Sequence, residues 1–228
     1  MSDYLALAIH REGTTDYRFL GPLLLRAAEE ICSTARRSIQ VSETLTELRT
    51  NKREPTEQLR VESAVQSQTS PDFVIFIHAD GSGDWRQAYN NHVGPVASTL
   101  VDKLGFRREQ IVGVVPVREM EAWALVCGDT IRKVFNTDLK DGQLGLSASS
   151  PAGVENITDP KKELNNAYNQ VLGRRVVRRS SRRETAASFL AELGREVPIK
   201  KLRLVPSFQR FEDDLRKALV ALGYLETR

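Results

Sequence analysis

Hydrophobic and polar positions follow two periods along the first 135 residues. Short apolar runs rich in branched and aromatic residues predict buried parallel strands at 4–10, 72–78 and 111–115, and a weaker alternating run predicts an edge strand at 38–43. Apolar residues at helical spacing predict helices over about 15–36, 54–69, 85–104 and from about 118. The alternation of strand and helix predicts an α/β fold with a Rossmann-like parallel sheet flanked by helices.

The pattern changes after residue 135. Residues 136–158 are rich in Gly, Ser, Asp and Pro, which predicts a long loop. The remaining residues predict helices near 160–172, 182–194 and 207–222. We therefore expect an α/β core over residues 1–135, a long loop over 136–158, and a helical C-terminal extension over 159–228 that packs on the core.

Acidic residues follow two of the predicted strands. Glu12 and Asp16 come after the strand at 4–10, and Asp80 and Asp84 bracket a Gly-Ser-Gly loop after the strand at 72–78. The carboxyl ends of parallel strands meet at one edge of a sheet, so these side chains are expected to converge. Mg²⁺ or Mn²⁺ relieves the repulsion among such carboxylates. The sequence thus predicts a divalent-metal site; the alternative is that Asp16 is a first-turn helix charge and that Asp80 and Asp84 only form turns.

Charge is nearly balanced over the 228 residues, with 33 basic and 30 acidic side chains and a net charge of +3. Its distribution is uneven, because one segment of eleven residues, 173–183, holds six arginines. Such a run contacts nucleic-acid phosphates or forms a solvated loop without a ligand. The predicted nucleic-acid-binding residues are Arg174, Arg175, Arg178, Arg179, Arg182 and Arg183.

Composition and cysteine placement bear on the compartment. No stretch approaches the roughly 20 apolar residues of a membrane helix, and the N-terminus lacks the pattern of a secretory signal. Cys32 and Cys127 lie in apolar helical patterns without metal-ligand spacing. We expect a cytoplasmic protein with reduced, buried thiols and no membrane partner.

Five segments, in order, carry a resemblance to a known family. They are the strand followed by Glu12-Gly13 with Asp16, the strand that ends in His78-Ala-Asp80, Pro116-Val-Arg-Glu119-Met-Glu121-Ala-Trp123, Asp159-Pro-Lys161-Lys162, and Pro206-Ser-Phe208-Gln-Arg-Phe211. Together they resemble the Toprim-like proteins of the OLD-nuclease and RloB-like family. The resemblance spans most of the chain.

The resemblance implies a metal-dependent endonuclease that hydrolyses phosphodiester bonds of DNA or RNA with Mg²⁺ or Mn²⁺. It implies Glu12 as a metal ligand or acid/base and Asp16 and Asp80 as metal ligands, with Glu119 or Glu121 as a ligand of a second ion. Lys161 or Lys162 would neutralise charge on the phosphate. Related proteins serve in antiviral defence with an ATPase of the ABC or SMC type, which implies such a partner; homo-oligomers are left open. This chain has no Gly-x-x-x-x-Gly-Lys-Ser/Thr loop of its own.

His78 departs from the family pattern, which has Asp at this position. Imidazole is a poor ligand for Mg²⁺ but binds Mn²⁺. Three outcomes follow: His78 alters the metal preference, Asp84 substitutes as a ligand, or catalysis is lost and binding is retained. The last would make the protein a catalytically degenerate Toprim subunit that acts in binding or assembly. A phosphate hydrolase that acts on a small molecule is a third hypothesis for the function, after the nuclease and the degenerate subunit.

The aromatic side chains of His10, Trp123 and Trp85 are each open to a structural or a functional interpretation. His10, at the end of the first strand, is expected to be a packed histidine instead of a ligand. Trp123 is expected in the core, whereas Trp85 either covers the crevice or begins the next helix.

Overall fold

The strands of the protein form two parallel sheets. A computed structural model describes residues 3–13, 15–51, 53–174 (without the side chain of Arg174) and 185–226. The strands are β1 (Asp3–Leu5), β2 (Leu7–His10), β3 (Ile39–Val41), β4 (Thr46–Glu47), β5 (Val74–His78) and β6 (Ile111–Val114). β1 pairs with β3, and the larger sheet has the order β4-β2-β5-β6.

Helices surround these sheets. Those of the described residues are α1 (Asp16–Cys32), α2 (Glu57–Gln68), α3 (Trp85–Ala88), α4 (Gly94–Leu104), α5 (Glu121–Ala124), α6 (Gly128–Phe135), α7 (Asp141–Leu144), α8 (Pro160–Arg174), α9 (Leu190–Glu196), α10 (Ile199–Leu202) and α11 (Pro206–Ala221). A wider helical turn, Tyr89–Val93, joins α3 to α4. The predicted α/β fold with a parallel sheet flanked by helices is confirmed.

Several element boundaries differ from the prediction. The run at 4–10 divides at Ala6, and its halves join different sheets. The helix expected from about 118 is two helices, α5 and α6, because the backbone is extended at Cys127. The segment 136–158 contains α7 and a tight helical turn at Pro151–Asn156, and is therefore not a structureless loop.

The larger sheet is covered on both faces. Phe76, Val112 and Val114 belong to an apolar cluster with α1, α5, α9 and α11, while Ile75 and Ile77 belong to a second cluster with α2 and α4. Apolar positions on both faces explain why β5 reads as a continuous hydrophobic run. The helical C-terminal portion therefore contributes to the same core as the sheet.

Trp123 lies at the centre of the first cluster. Its side chain is fully buried, its ring meets Phe208 edge to face at 5.2 Å between centroids, and its Nε1 donates to Ser207 Oγ at 2.9 Å. The expectation that Trp123 packs in the core is confirmed. Cys32 and Cys127 are buried free thiols, also as expected.

No helix among the described residues is long and apolar enough to cross a membrane.

Candidate functional site

The predicted convergence of acids at the strand ends is observed. β2 and β5 are neighbours, with His10 beside Ile77, so the residues after each strand emerge at the same edge of the sheet. Glu12 and Asp80 meet there, where the backbone N–H of Asp80 donates to Glu12 Oε2 at 3.1 Å. Residues 68 positions apart in sequence thus share one crevice.

The turn after β2 places Asp16 in this crevice. The N–H of Gly13 donates to Asp16 Oδ2 at 2.5 Å, and a Cβ at position 13 would lie 2.7 Å from Asp16 Oδ1. Glycine is therefore required for this close approach. Arg11 secures the turn through a bond from Nη1 to the carbonyl of Gly13 at 2.7 Å. As a result Asp16, although the first residue of α1, is buried.

His78 lies beneath the acids. Its Nδ1 is 2.8 Å from the carbonyl oxygen of Val114, and because a carbonyl only accepts, Nδ1 carries the proton. Its Nε2 lies 3.5 Å from Asp16 Oδ2 and 3.6 Å from Asp80 Oδ1. Within the described part of the chain, neither Nε2 nor Asp80 Oδ1 has a hydrogen-bond partner, although both are buried. The imidazole is thus held with Nε2 directed at two carboxylates.

Mutual repulsion is strong in the group of acids Glu12, Asp16, Asp80 and Glu119, here called the carboxylate cluster. Burial, followed by the charges of Asp16, Glu12 and Glu119, raises the pKa of Asp80 to about 7, against a hydrogen bond from the Met120 backbone. A cation in this crevice would relieve both the repulsion and the desolvation.

Glu121 and Lys161 lie beside the carboxylate cluster. Glu119 Oε2 accepts from the backbone N–H of Lys161 at 3.2 Å. Glu121 and Lys161 line the same small cavity of about 70 Å³. Burial, with the charges of Glu119 and Asp80, raises the pKa of Glu121 to about 7, against a backbone hydrogen bond and the charge of Lys161. Lys162 is exposed, and its backbone N–H donates to Asp159 Oδ1 at 2.8 Å.

Other predicted site residues are placed differently. Asp84 is the N-cap of α3, where its Oδ1 accepts from the N–H groups of Arg86 and Gln87 at 3.0 and 3.1 Å. That carboxylate oxygen is engaged in capping, as its turn interpretation predicted. The six arginines from Arg174 to Arg183 lie outside the residues whose side chains are described.

His10 is a packed strand-end histidine, as expected. It is buried, and its Nε2 lies 3.1 Å from Glu57 Oε1, while Glu57 Oε2 lies 3.3 Å from His92 Nδ1. These contacts, with the His10 hydrogen bond as the largest cause, lower the pKa of Glu57.

Arg118 was not identified as a site residue from the sequence. Its Nε is buried without a hydrogen-bond partner in the described ranges, and its Nη1 lies close to Gly83 in the loop after Asp80. The signal was its place one residue before Glu119, inside the segment that carries the acids.

Chemically the crevice suits a divalent cation. Carboxylate oxygens with one imidazole nitrogen are donors that Mn²⁺ accepts more readily than Mg²⁺ does. The unpartnered Nε2 of His78 and Oδ1 of Asp80 are two such donors 3.6 Å apart. In their present positions, no three acidic, imidazole or thiol groups of the described residues close around a single ion. Ligation therefore requires the more exposed carboxylates, such as Glu12, to rotate inward.

Comparison with known proteins identifies a family for the chain. Searches of curated proteins and of solved structures found no match. A family model matches residues 11–216, a range that includes the whole carboxylate cluster, His78 and Lys161. The chain therefore belongs to the family described as a domain of unknown function, DUF4276.

Proposed function

We propose that the protein is a divalent-metal-dependent nuclease of the Toprim type that hydrolyses phosphodiester bonds in DNA or RNA. The observation that carries this proposal is the position of His78 Nε2, unpartnered and within 3.6 Å of both Asp16 and Asp80. A histidine whose other nitrogen donates to a backbone carbonyl has the arrangement common among metal-binding histidines. A ligand set of carboxylate oxygens and one imidazole nitrogen favours Mn²⁺ over Mg²⁺.

Each residue of the crevice has a role in this proposal. Glu12, Asp16, His78 and Asp80 would hold one ion, and Glu119 or Glu121 would contribute to a second. Divalent ions bound there would activate water and stabilise the leaving oxygen of the substrate. Lys161 would place positive charge beside the phosphate.

Glu121 is suited to hold a proton near neutral pH. Its carboxyl is buried and has a pKa of about 7, so both protonation states are populated in that range. Its position beside Lys161 allows it to give a proton to the leaving oxygen or to take one from water. Glu12, which is exposed, is the alternative acid or base.

The resemblance to OLD-type and RloB-like proteins extends the proposal to a biological setting. We infer an ATPase of the ABC or SMC type as the partner, and antiviral defence in the cytoplasm as the process. The comparisons with known proteins leave both as proposals.

The test is cleavage of end-labelled single-stranded and duplex DNA and RNA by the purified protein, with Mn²⁺, Mg²⁺ or EDTA, alone and with the ATPase encoded beside it. We expect cleavage with Mn²⁺ that EDTA abolishes and that the Glu12→Ala variant lacks. Intact substrates under every condition would refute the nuclease. Cleavage by Glu12→Ala at the wild-type rate would place the chemistry elsewhere.

A catalytically degenerate subunit is the second candidate, and one observation favours it. His78 Nε2 lies 3.5 Å from Asp16 Oδ2 and 3.6 Å from Asp80 Oδ1, a position from which an imidazole N–H would pair with both acids in place of a metal ion. Calorimetric titration with Mn²⁺ separates the two candidates. Heat of binding that disappears in Asp80→Asn supports the nuclease, whereas no heat with a folded protein supports the degenerate subunit.

A further inference from the structure

A cavity of about 470 Å³ lies beside β6, the edge strand of the larger sheet. The residues that define its chemistry are Trp85, Arg86, Tyr89, Gly113, Arg210 and Phe211. The volume falls in the range of small-molecule sites, roughly 300 to 1,000 Å³. None of these residues has a role in the proposed cleavage.

The cavity is close to the carboxylate cluster. β5 and β6 pair with His78 beside Val114, so Val115, which lines the cavity, lies level with the residue before Asp80. The loop that leaves Asp80 reaches Trp85 after five residues, a span of at most about 18 Å. That loop is pressed on the chain after β6, since a Cβ on Gly81 would lie 2.2 Å from the Pro116 carbonyl oxygen. One extended ligand can therefore reach both places.

Aromatic rings and guanidinium groups dominate the cavity. The Arg210 guanidinium carbon lies 4.3 Å from the centre of the half-buried Trp85 ring, and that of Arg86 lies 5.6 Å from the same ring. Nη2 of Arg210 is buried and lacks a hydrogen-bond partner in the ranges that the structure describes. Burial lowers the pKa of Arg210 and the charge of Arg86 adds to this, whereas Glu155 opposes it only in part, so a negative charge beside the unpartnered Nη2 would be stabilised.

The charges on the cavity wall leave positive charge in excess. Lys217 pairs with Asp214 at 2.7 Å, which neutralises both. Of the other charged side chains that line the cavity, Arg86 and Arg210 are positive and Asp213 is negative, while Glu155, which is not part of the lining, acts on Arg210. An occupant that matches this wall combines a flat ring, which stacks on Trp85 or Tyr89, with an anionic group that meets a guanidinium.

We propose that this cavity binds one unpaired nucleotide of a single-stranded nucleic acid, with its base against the Trp85 side and its phosphate on Arg210. This inference rests on the proposed nuclease function and specifies its substrate as a strand with at least one base free to enter. A base inside a duplex is already stacked on its neighbours and is not available to Trp85. Trp85 is the first residue of α3, as one of the two interpretations from sequence had it, and the proposal adds a contact with a base to that position.

The test uses the protein's own fluorescence. Trp85 and Trp123 are its two tryptophans, and Trp123 is fully buried, so a ligand in the cavity quenches Trp85. The full chain is titrated in EDTA, where cleavage is absent, with a single-stranded oligothymidine, the matching duplex, thymidine monophosphate and inorganic phosphate. We expect quenching by the single strand, at least about tenfold weaker binding of the duplex, and tenfold weaker binding of the mononucleotide, which has only one phosphate.

Variants locate the binding. Trp85→Leu is expected to abolish the quenching, and Arg210→Gln to weaken single-strand binding at least about tenfold, the scale of losing one hydrogen bond between charged groups. Lys200→Gln, which removes an exposed cation on α10, is the matched control and should bind as wild type does. Circular dichroism and thermal melting check that each variant folds, and the wild-type titration needs no variant.

The outcomes for this cavity and for the nuclease are distinguishable. If the wild type cleaves nucleic acid but Arg210→Gln binds and cleaves normally, the cavity proposal fails and the nuclease stands. If the single strand quenches Trp85 but no metal ever supports cleavage, the cavity proposal stands and the nuclease fails. A mononucleotide or inorganic phosphate that binds as tightly as the oligonucleotide overturns the assignment to a strand.

Discussion

His10 and His78 end adjacent strands of one sheet, and both are buried against carboxylates, yet the balance of charge around them is opposite. At His10 one carboxylate, Glu57, is shared by two imidazoles, His10 and His92. At His78 one imidazole faces Asp16 and Asp80, with Glu12 and Glu119 close enough to act on Asp80. The pKa of Glu57 is lowered, whereas the pKa of Asp80 is raised to about 7.

The difference separates a structural pair from a functional cluster. At His10 the carboxylate is stabilised by groups that the fold itself supplies. At His78 the acids outnumber their partners, so the fold leaves negative charge that a cation from solution can neutralise. The same two residue types therefore serve packing at one strand end and, in the function we propose, ligand binding at the next.

The largest expected effect is that of removing one charge from the cluster. Asp80→Asn should weaken Mn²⁺ binding and slow cleavage by at least about 100-fold, because it removes a metal ligand. Replacing a group that only supports a ligand already costs about 10- to 100-fold in metal affinity or activity. Calorimetry and the cleavage assay measure these effects. Asp84→Asn is the matched control, since Asn caps a helix as well as Asp does. An equal loss of Mn²⁺ binding and cleavage in both variants would mean that these activities depend on the conformation of the loop from Asp80 to Asp84 and not on the Asp80 carboxylate.

Replacing the imidazole should change the choice of metal. His78→Asp supplies a fourth carboxylate donor in place of the imidazole nitrogen, so we expect the ratio of activity with Mg²⁺ to activity with Mn²⁺ to rise about tenfold. Parallel cleavage assays over a range of each ion measure this ratio. His92→Gln, at the histidine whose side chain is 43% exposed beside Glu57, should leave the ratio unchanged. An unchanged ratio in His78→Asp would show that the imidazole does not contact the ion.

Without metal, the cluster should make stability fall as pH rises. The pKa of Asp80 is about 7 in the folded state against an ordinary 3.8, so the folded protein binds this proton more tightly and its free energy of unfolding decreases between those values. Asp80→Asn should therefore be more stable than wild type at pH 8 by about 1 kcal/mol, a figure reduced for the partial exposure of the side chain. Urea unfolding in EDTA at pH 4 and pH 8 measures it.

Added Mn²⁺ should make the wild type more stable than Asp80→Asn at pH 8, because the ion stabilises only the protein that binds it. A wild type that remains less stable than Asp80→Asn at pH 8 with saturating Mn²⁺ would contradict the assignment of Asp80 as a ligand.

The smallest effect is expected at His10. The lowered pKa of Glu57 contributes stability that is present above its ordinary value of 4.5 and is lost as pH falls through the lowered value. Glu57→Gln should therefore cost about 0.5 to 1 kcal/mol at pH 7 and nothing at low pH. Thermal or urea unfolding at both pH values tests this sign, and Mn²⁺ binding should be unaffected. A large loss of Mn²⁺ binding in Glu57→Gln would contradict the separation of the His10 pair from the His78 cluster.

Much of the site was predictable because it depends on strand ends. The apolar runs that became β2 and β5 could be read directly, and the rule that parallel strands end at one edge placed Glu12 near Asp80. The capping role of Asp84 was one of two stated alternatives. The short strand β4 was not predicted, because its two residues, Thr46 and Glu47, leave no periodic signal.

Contacts across long sequence separations could not be predicted. The hydrogen bond that fixes the His78 ring is accepted by the carbonyl of Val114, 36 residues away, and the N–H of Lys161 donates to Glu119 across 42 residues. The cavity at Trp85 is lined from α3, β6 and α11, three elements whose packing no local pattern specifies.

The sequence by itself determined the α/β class and the presence of acids at two strand ends, because strand period and residue type are local properties of the chain. The tertiary structure alone decided which histidine is satisfied and which is not. Both are strand-end residues of similar surroundings in sequence, and only the packing of α2 beside His10 supplies Glu57, while the approach of β6 to His78 leaves its Nε2 to the acids. Charge balance in a buried crevice is a sum over residues brought together by folding, so it has no local signature.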